Sequence, residues 1–178
     1  MEKDAVTLKD VQEAAKRLAS VVHKTPLESN HTFSTIAGHE VLLKLENMQR
    51  TGSFKVRGAS NCIQTLSPEK KACGVITASA GNHAQGVALG ASKAGIKSTI
   101  VMPEGAPLSK IEATRGYGAE VVLAGSVYDE AFAEAVRIQK ETGATFVHAY
   151  DNPAVIAGQG TIGLEILEQC PDIKAIVV

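Results

Sequence analysis

The sequence between residues 74 and 149 alternates short apolar runs with segments of helical periodicity, and this alternation constrains the fold more than any other feature. Strands are predicted at 74–78, 98–102, 120–123 and 145–149, and helices at 82–94, 108–117 and 127–142. Strands separated by helices of this length form parallel β-α-β units. Glycines that favour a left-handed backbone follow the predicted helices at Gly95, Gly118 and Gly143. The sequence therefore predicts an α/β fold in which parallel sheets carry helices on both faces.

The segment before this region has a different pattern. Thr7 and Asp10 form a capping box at the start of an amphipathic helix that is expected to end before Pro26. A short β-like run follows at 41–46. Ser53 is the expected N-cap of the next helix, which is predicted over 54–66.

The C-terminal segment predicts a larger fold than the chain itself contains. A helix is predicted at 161–169, and a continuous apolar run at 173–178 is typical of a buried parallel strand, with no turn or polar tail after it. We expect residues 54–149 to form a small domain, inserted in a larger, truncated domain to which residues 1–53 and 150–178 belong.

Composition and charge exclude several classes of protein. The 178 residues carry a net charge of -1, from 18 Lys+Arg and 19 Asp+Glu, and 44% of them are hydrophobic. Disorder needs low hydrophobicity with high net charge, and binding to nucleic acid or an anionic membrane needs a basic excess, so none of these is expected. No apolar stretch approaches the ~18 residues of a membrane-spanning helix, and residues 1–10 are charged where a secretory signal is apolar. We therefore expect a soluble, cytoplasmic protein.

The cysteines and histidines predict neither a disulfide framework nor a metal site. The cysteines are odd in number and far apart, and we expect reduced, mostly buried thiols at Cys62, Cys73 and Cys170. Three histidines recur every eight residues, but the proline, asparagine and glycine between them argue against one helix that would align them. We expect surface or loop residues at His23, His31 and His39.

Lys55 is the first candidate for chemistry. It lies two residues after the expected N-cap Ser53, near the positive end of a helix and between apolar neighbours. Both placements disfavour the protonated amine. An uncharged lysine attacks a carbonyl carbon and forms a Schiff base, as cofactor-dependent amine chemistry requires. Judged from the local sequence alone, a solvent-facing lysine at a helix start is the commoner alternative.

The turn at 77–86 is the second candidate. It connects the carboxyl end of a predicted parallel strand to a helix, which is where open α/β sheets bind their ligands. Gly81 lets the backbone approach a ligand, and free N–H groups with the Ser79 hydroxyl and the Asn82 amide would bind an anion such as a carboxylate. Capping of the helix by Ser79 or Asn82 is the structural alternative.

Residues 158–163, GQGTIG, match the dinucleotide-binding expression and indicate a nicotinamide-binding module as an alternative function. That fingerprint needs a strand leading directly into its first glycine, whereas here DNPA at 151–154 intervenes. We therefore interpret these glycines as sites of close helix packing.

Together, ENMQRTGSFKVRGA at 46–59, SAGNHAQG at 79–86 and DNPAVIAGQGTIG at 151–163 resemble the threonine dehydratase and serine racemase family. These are pyridoxal 5'-phosphate enzymes of the tryptophan-synthase-β fold type, and the resemblance covers nearly the whole chain. It implies dehydration and deamination of threonine, and of serine, to a 2-oxo acid and ammonia, with the cofactor as electron sink. Family members are usually homodimers or homotetramers.

The resemblance also implies roles for individual residues. Lys55 resembles the lysine that holds the cofactor as an internal aldimine and then moves the substrate α-proton. Phe54 resembles the residue beside the cofactor ring, and Asn82 the side chain that hydrogen-bonds the ring hydroxyl. The turn that receives the substrate carboxylate corresponds to Ser79, Gly81, Asn82 and His83.

Two departures from the family pattern carry expectations. Racemases of this family have a second serine where this chain has Ala80, and racemisation needs a proton donor on each face of the substrate, so a dehydratase is favoured over a serine racemase. The family's glycine-rich cup for the cofactor phosphate would follow Val178 directly. We therefore expect the 178-residue chain alone to be inactive and to bind the cofactor poorly, which leaves a non-catalytic fragment as a further description of it.

Overall fold

The computed structural model describes residues 6–178, which form eight α-helices and six strands. The helices are α1 Leu8–Leu18, α2 His31–Ala37, α3 Lys55–Gln64, α4 Pro68–Cys73, α5 Asn82–Lys93, α6 Leu108–Gly116, α7 Tyr128–Thr142 and α8 Pro153–Gln169. The strands are β1 Leu27–Ser29, β2 Leu42–Lys44, β3 Val75–Ala78, β4 Ser98–Met102, β5 Glu120–Leu123 and β6 Thr145–Phe146. A short 3-10 segment, Glu46–Met48, precedes α3.

The main sheet has the order β5-β4-β3-β6, and all of its neighbouring strands are parallel. Val75 of β3 is opposite Ser98 of β4 on one side and Thr145 of β6 on the other. The β-α-β prediction is therefore confirmed. A separate pair of antiparallel strands, β1 and β2, lies before the sheet in the chain and aligns Leu27 with Lys44.

Helices cover both faces of the main sheet, as predicted. On one face Val75, Ile100 and Met102 pack against the small side chains of α5, among them Ala84 and Ala88. On the other face Ile76, Ala78 and Val101 pack against α7 through Ala131 and Ala135. Alternate residues of a strand point to opposite faces, so each short apolar strand contributes to both cores.

The local signals around the helices are mostly confirmed. Thr7 caps α1 in a capping box with Asp10. The three glycines that follow predicted helices have positive φ, +67° at Gly95, +92° at Gly118 and +72° at Gly143.

Three predicted elements differ from the structure. Helix α8 begins at Pro153 rather than at 161, because the Asn152 side chain accepts hydrogen bonds from the amides of Ala154 and Val155 and caps it. Residues 173–178 form no strand, since no described strand lies beside them. Strand β6 covers only Thr145–Phe146 of the predicted 145–149. Helix α1 ends at Leu18, before Pro26 as expected.

The expectation that the thiols are mostly buried is wrong, whereas the three histidines expected in surface or loop positions are exposed. All three cysteines are free, but only Cys62 is buried, whereas Cys73 is exposed and Cys170 is half-buried. His23, His31 and His39 are not buried. Within residues 6–178, no cluster of three or more His, Cys, Asp or Glu side chains could hold a metal ion, and none of the helices has the length and apolarity that crossing a membrane requires.

Candidate active site

Lys55 is the first residue of α3 and its side chain is half-buried at the carboxyl edge of the main sheet. Its Nζ donates a hydrogen bond to the Ala149 carbonyl oxygen at 3.1 Å and lies 5.1 Å from the centroid of the Phe54 ring. In these contacts the amine donates to a carbonyl oxygen and lies beside the face of an aromatic ring. Phe54 is 38% exposed, so the ring beside the amine is partly open to solvent.

The expected N-cap of α3 is wrong by one residue. Phe54 occupies the N-cap position with a helical backbone and no side-chain capping bond. The Ser53 hydroxyl accepts from the Lys55 amide at 3.4 Å, so it satisfies one of the free donors at the helix start without being the cap.

Two glycines allow neighbouring helices to approach the start of α3 closely. A Cβ added at Gly86 of α5 would lie 3.0 Å from the Lys55 carbonyl carbon. A Cβ added at Gly158 of α8 would lie 2.7 Å from the Arg57 carbonyl oxygen. Since these contacts are to backbone atoms, they fix the helix axis itself beside Lys55.

The turn at 79–82 presents backbone donors at the end of β3. The Ser79 amide donates to the Val101 carbonyl at 3.0 Å, which continues the pairing with β4, and the Gly81 amide donates to the Ser79 hydroxyl at 3.3 Å. Gly81 is the N-cap of α5 and makes no side-chain capping bond. Asn82 is exposed at the start of that helix. The first turn of α5 therefore has N–H groups without a side-chain cap, beside the Asn82 amide, and both suit an anion.

His83 faces inward from this turn. It is 4% exposed, and its Nε2 lies 2.9 Å from the Val147 carbonyl oxygen. Because a carbonyl only accepts, Nε2 carries the proton and Nδ1 is an acceptor, which has no partner within the described residues. Burial lowers the pKa of His83 to about 4, the bond to Val147 opposes this, and the charges of Lys55 and His148 add to the lowering. The ring is neutral at pH 7, so this turn presents N–H groups and no imidazolium to an anion.

The segment that follows β6 joins the two candidates. Its carbonyls accept from His83 at Val147 and from Lys55 at Ala149, and the Thr77 hydroxyl also donates to Val147 at 2.9 Å. Lys55 and His83 of the turn at 79–83 therefore contact the same short segment, at carbonyls that are two residues apart. The sequence carries no signal for these backbone acceptors, because any residue supplies a carbonyl.

The glycine motif at 158–163 lies inside α8 and not at a helix start. Its amides are committed to the helix, so it cannot cradle a pyrophosphate and the nicotinamide alternative is wrong. Helix packing, the interpretation from sequence, holds at Gly158 and at Gly160, whose added Cβ would lie 3.0 Å from Val11. It does not hold at Gly163, which has open space around it.

The residues present fit pyridoxal phosphate. A half-buried lysine amine lies over a partly exposed aromatic ring, and a turn whose helix start has no side-chain cap follows the neighbouring strand. The unpartnered Nδ1 of His83 is a buried polar atom at the same place. This combination matches a cofactor that has an aldehyde and an aromatic ring and whose substrate is an amino acid.

Known proteins resemble this chain over nearly its whole length. An L-threonine ammonia-lyase of Thermotoga maritima is 57% identical over 173 residues, which is 97% of this chain and 43% of the relative. The solved structure of maize serine racemase has a TM-score of 0.92 and 40% identity, and covers 95% of this chain and 51% of that one. The processed form of threonine deaminase isoform 2 from Solanum lycopersicum has a TM-score of 0.85 and 41% identity, over 94% and 47% respectively.

The chain thus spans about half the length of the relatives it matches. The family model described as "Pyridoxal-phosphate dependent enzyme" matches residues 8–178. On the geometry of the site and on this match, the chain belongs to the family of pyridoxal-phosphate dependent enzymes.

Proposed function

We propose that the full-length protein is an ammonia-lyase that converts L-threonine, and L-serine, to 2-oxobutanoate or pyruvate and ammonia. The observation that carries this proposal is that Lys55 and His83 of the turn at 79–83 contact the carbonyls of Ala149 and Val147, in the segment that follows β6. The relatives named threonine ammonia-lyase and threonine deaminase support the reaction class.

Each residue of the site has a proposed task. The free amides of the first turn of α5, with Ser79 and Asn82, bind the substrate carboxylate. Lys55 Nζ is the covalent attachment point for the cofactor and afterwards carries the proton removed from the substrate α-carbon. Phe54 packs beside the cofactor ring, and the Asn82 amide forms a hydrogen bond with the hydroxyl group of that ring. Pyridoxal phosphate, when bound, supplies the electron sink that makes the α-proton acidic.

The residue at position 80 favours elimination. Loss of the α-proton and of the β-hydroxyl removes one water, and hydrolysis of the resulting enamine returns one water, so threonine gives 2-oxobutanoate and ammonia. Ala80 has no exchangeable side-chain proton. The opposite face of the substrate therefore has no donor at that position, which favours elimination over inversion.

The first experiment measures 2-oxobutanoate released from L-threonine by the full-length protein. We expect Lys55→Ala to lower kcat by at least about a thousandfold, because the variant loses both the attachment point and the base. Lys97→Ala is the matched control, since Lys97 is exposed and pairs with Glu120. Full activity in Lys55→Ala, or no turnover in the wild type, would contradict the proposal.

Serine racemase is the second candidate, favoured by the likeness to the maize enzyme. The two are separated by assaying D-serine formed from L-serine. We expect pyruvate to exceed D-serine by at least about tenfold in the wild type, and Ala80→Ser to increase the D-serine share. A wild type that forms mainly D-serine would reverse the assignment.

Further properties of the protein are proposed on the same basis. Residues 54–149 form a small domain that closes on the parts formed by 1–53 and 150–178 and excludes water from the cleft. The full-length protein is a cytoplasmic homodimer or homotetramer that binds neither nucleic acid nor membranes, and the 178-residue chain alone is inactive. Sedimentation of the full-length protein would test the assembly.

A further inference from the structure

A buried cluster of charges lies behind the start of α3, and no step proposed above uses it. We call it the Arg57 cluster, and it consists of Lys44, Glu46, Arg57 and Glu165. The Arg57 side chain has no exposed surface, and the side chains of its two acidic partners are 12% and 15% exposed. Two positive and two negative groups give the cluster a net charge of zero.

The guanidinium of Arg57 is bound on two sides. Its Nε and Nη2 donate to the two oxygens of Glu46, each at 2.8 Å. Its Nη1 and Nη2 donate to the two oxygens of Glu165, at 2.7 and 3.0 Å. This double bidentate arrangement depends on the planar fork of arginine, which a lysine ammonium cannot reproduce.

The remaining donors of the cluster are also satisfied. Arg57 Nη1 contacts the Thr161 hydroxyl at 3.2 Å, and Nη2 contacts the His23 carbonyl at 3.3 Å. Lys44 Nζ donates to Glu165 at 2.6 Å. The two carboxylates raise the pKa of Arg57 against the opposing effect of burial, and Arg57 with Lys44 lowers the pKa of Glu165. Both shifts favour the charged forms of Arg57 and Glu165.

The cluster holds the turn of α3 that begins with Lys55. Arg57 is in the same first turn, two residues on, and side chains at that spacing point to different sides of a helix. Glu46 belongs to the 3-10 segment before α3, and Glu165 to α8. The 3-10 segment and α8 thus bind one side of the first turn of α3, and Lys55 projects from another side. Gly86 packs against the backbone of this turn at Lys55.

We propose that Arg57 is a positioning residue for Lys55: its two bidentate ion pairs fix the first turn of α3 and so place the Lys55 amine against the Ala149 carbonyl, beside the turn at 79–83. The readout in activity rests on the proposed function. The readout in covalent labelling does not, because it follows the reactivity of Lys55 itself.

The test uses Arg57→Lys in the full-length protein, which keeps the charge and loses the fork. Arg137→Lys is the matched control, since Arg137 pairs with Glu134 and Glu141 on the exposed side of α7. We expect Arg57→Lys to lower kcat for L-threonine at least about tenfold with KM changed less than about threefold, and Arg137→Lys to change neither. A folded Arg57→Lys protein with kcat within about twofold of the wild type would overturn the proposal.

Labelling gives a measurement that a general loss of stability does not mimic. Each protein is treated with pyridoxal phosphate and borohydride, and the modified fractions of Lys55 and Lys97 are compared by mass spectrometry. We expect the Lys55 to Lys97 ratio to fall at least about fivefold in Arg57→Lys and to stay unchanged in Arg137→Lys. An unchanged ratio in Arg57→Lys overturns the positioning role, whereas wild-type labelling at Lys55 without turnover of threonine overturns only the proposed function.

A second variant keeps the test decisive if Arg57→Lys does not fold. Glu165→Gln retains the size of the side chain and one oxygen acceptor but loses one bidentate pair. We expect a smaller effect in the same direction, a loss in kcat of about threefold to tenfold together with a lower labelling ratio. An unaltered kcat and ratio in folded Glu165→Gln would overturn the proposal.

Discussion

His83 is a buried imidazole in which one ring nitrogen has a partner and the other has none within the described residues. Its pKa is about 4 in the folded chain, against an ordinary value of 6.5. As the pH falls below 6.5, the imidazole is protonated in the unfolded chain, whereas in the folded chain it stays neutral down to about pH 4. The free energy of unfolding therefore decreases as the pH falls from 6.5 to 4. The difference at pH 5 amounts to about 2 kcal/mol.

We expect this loss to disappear when the imidazole is removed. Between about pH 7.5 and pH 5 the free energy of unfolding in urea should fall by about 2 kcal/mol more in the wild type than in His83→Gln. His31→Gln, which changes an exposed ring of α2, should behave as the wild type does. Equal losses in the wild type and in His83→Gln would show that His83 does not titrate across this range.

At the scale of single residues, the sequence indicated which residues are candidates for the site better than it indicated their contacts. The motifs pointed to Lys55 and to the turn at 79–83, and in the structure Lys55 and His83 of that turn contact the carbonyls of Ala149 and Val147. Arg57 was not singled out, because Glu46 and Glu165 lie 11 and 108 positions away from it and no local pattern connects them. Long-range ion pairs of this kind follow from the packing of helices, which a single sequence does not display.

Helix α8 offers a matched pair of glycines for testing how closely the elements pack. A Cβ at Gly158 would meet backbone atoms of α3 at 2.7 Å, whereas a Cβ at Gly163 would meet nothing within 4 Å. We expect Gly158→Ala to lower the free energy of unfolding by about 1–3 kcal/mol, because backbone atoms cannot rotate away from the added carbon. Gly163→Ala should raise it by up to about 1 kcal/mol through helix propensity. Urea unfolding of both variants checks this, and equal effects would argue against close contact of α3 and α8.

Elements with strong local signals were predicted well, and those without them were not. The bounds of β4 and β5 agree with the apolar runs that predicted them. Strand β1 and helix α2 have three and seven residues, which is too short for periodicity to identify. The start of α8 has a signal in the sequence, because Asn152 followed by Pro153 is a typical pair of N-cap and N1 residues.

At the scale of the molecule, α3 connects two groups of elements. It packs on α5, which covers the main sheet, and on α8, which together with α1 and β2 lies on the other side. The alternation of strands and helices predicted the sheet and its order of β-α-β units. It could not predict that the helix carrying Lys55 would be shared between both groups, because that depends on the Gly58 and Gly158 contact and on the Arg57 cluster.

The chain contains Lys55 and the turn at 79–83, and it spans about half the length of the relatives it matches. The proposal that this chain alone is inactive implies that other parts of the full-length protein bind the cofactor phosphate. Phosphate is bound chiefly by backbone N–H groups, and without them a covalent link alone must retain the cofactor. We therefore expect pyridoxal phosphate to raise the midpoint of thermal unfolding of the full-length protein by several degrees, since a ligand at about a hundred times its Kd stabilises by about 2.7 kcal/mol. The 178-residue chain should show no measurable rise at the same concentration. A comparable rise in the short chain, abolished by Lys55→Ala, would mean that residues 1–178 contain the complete cofactor site.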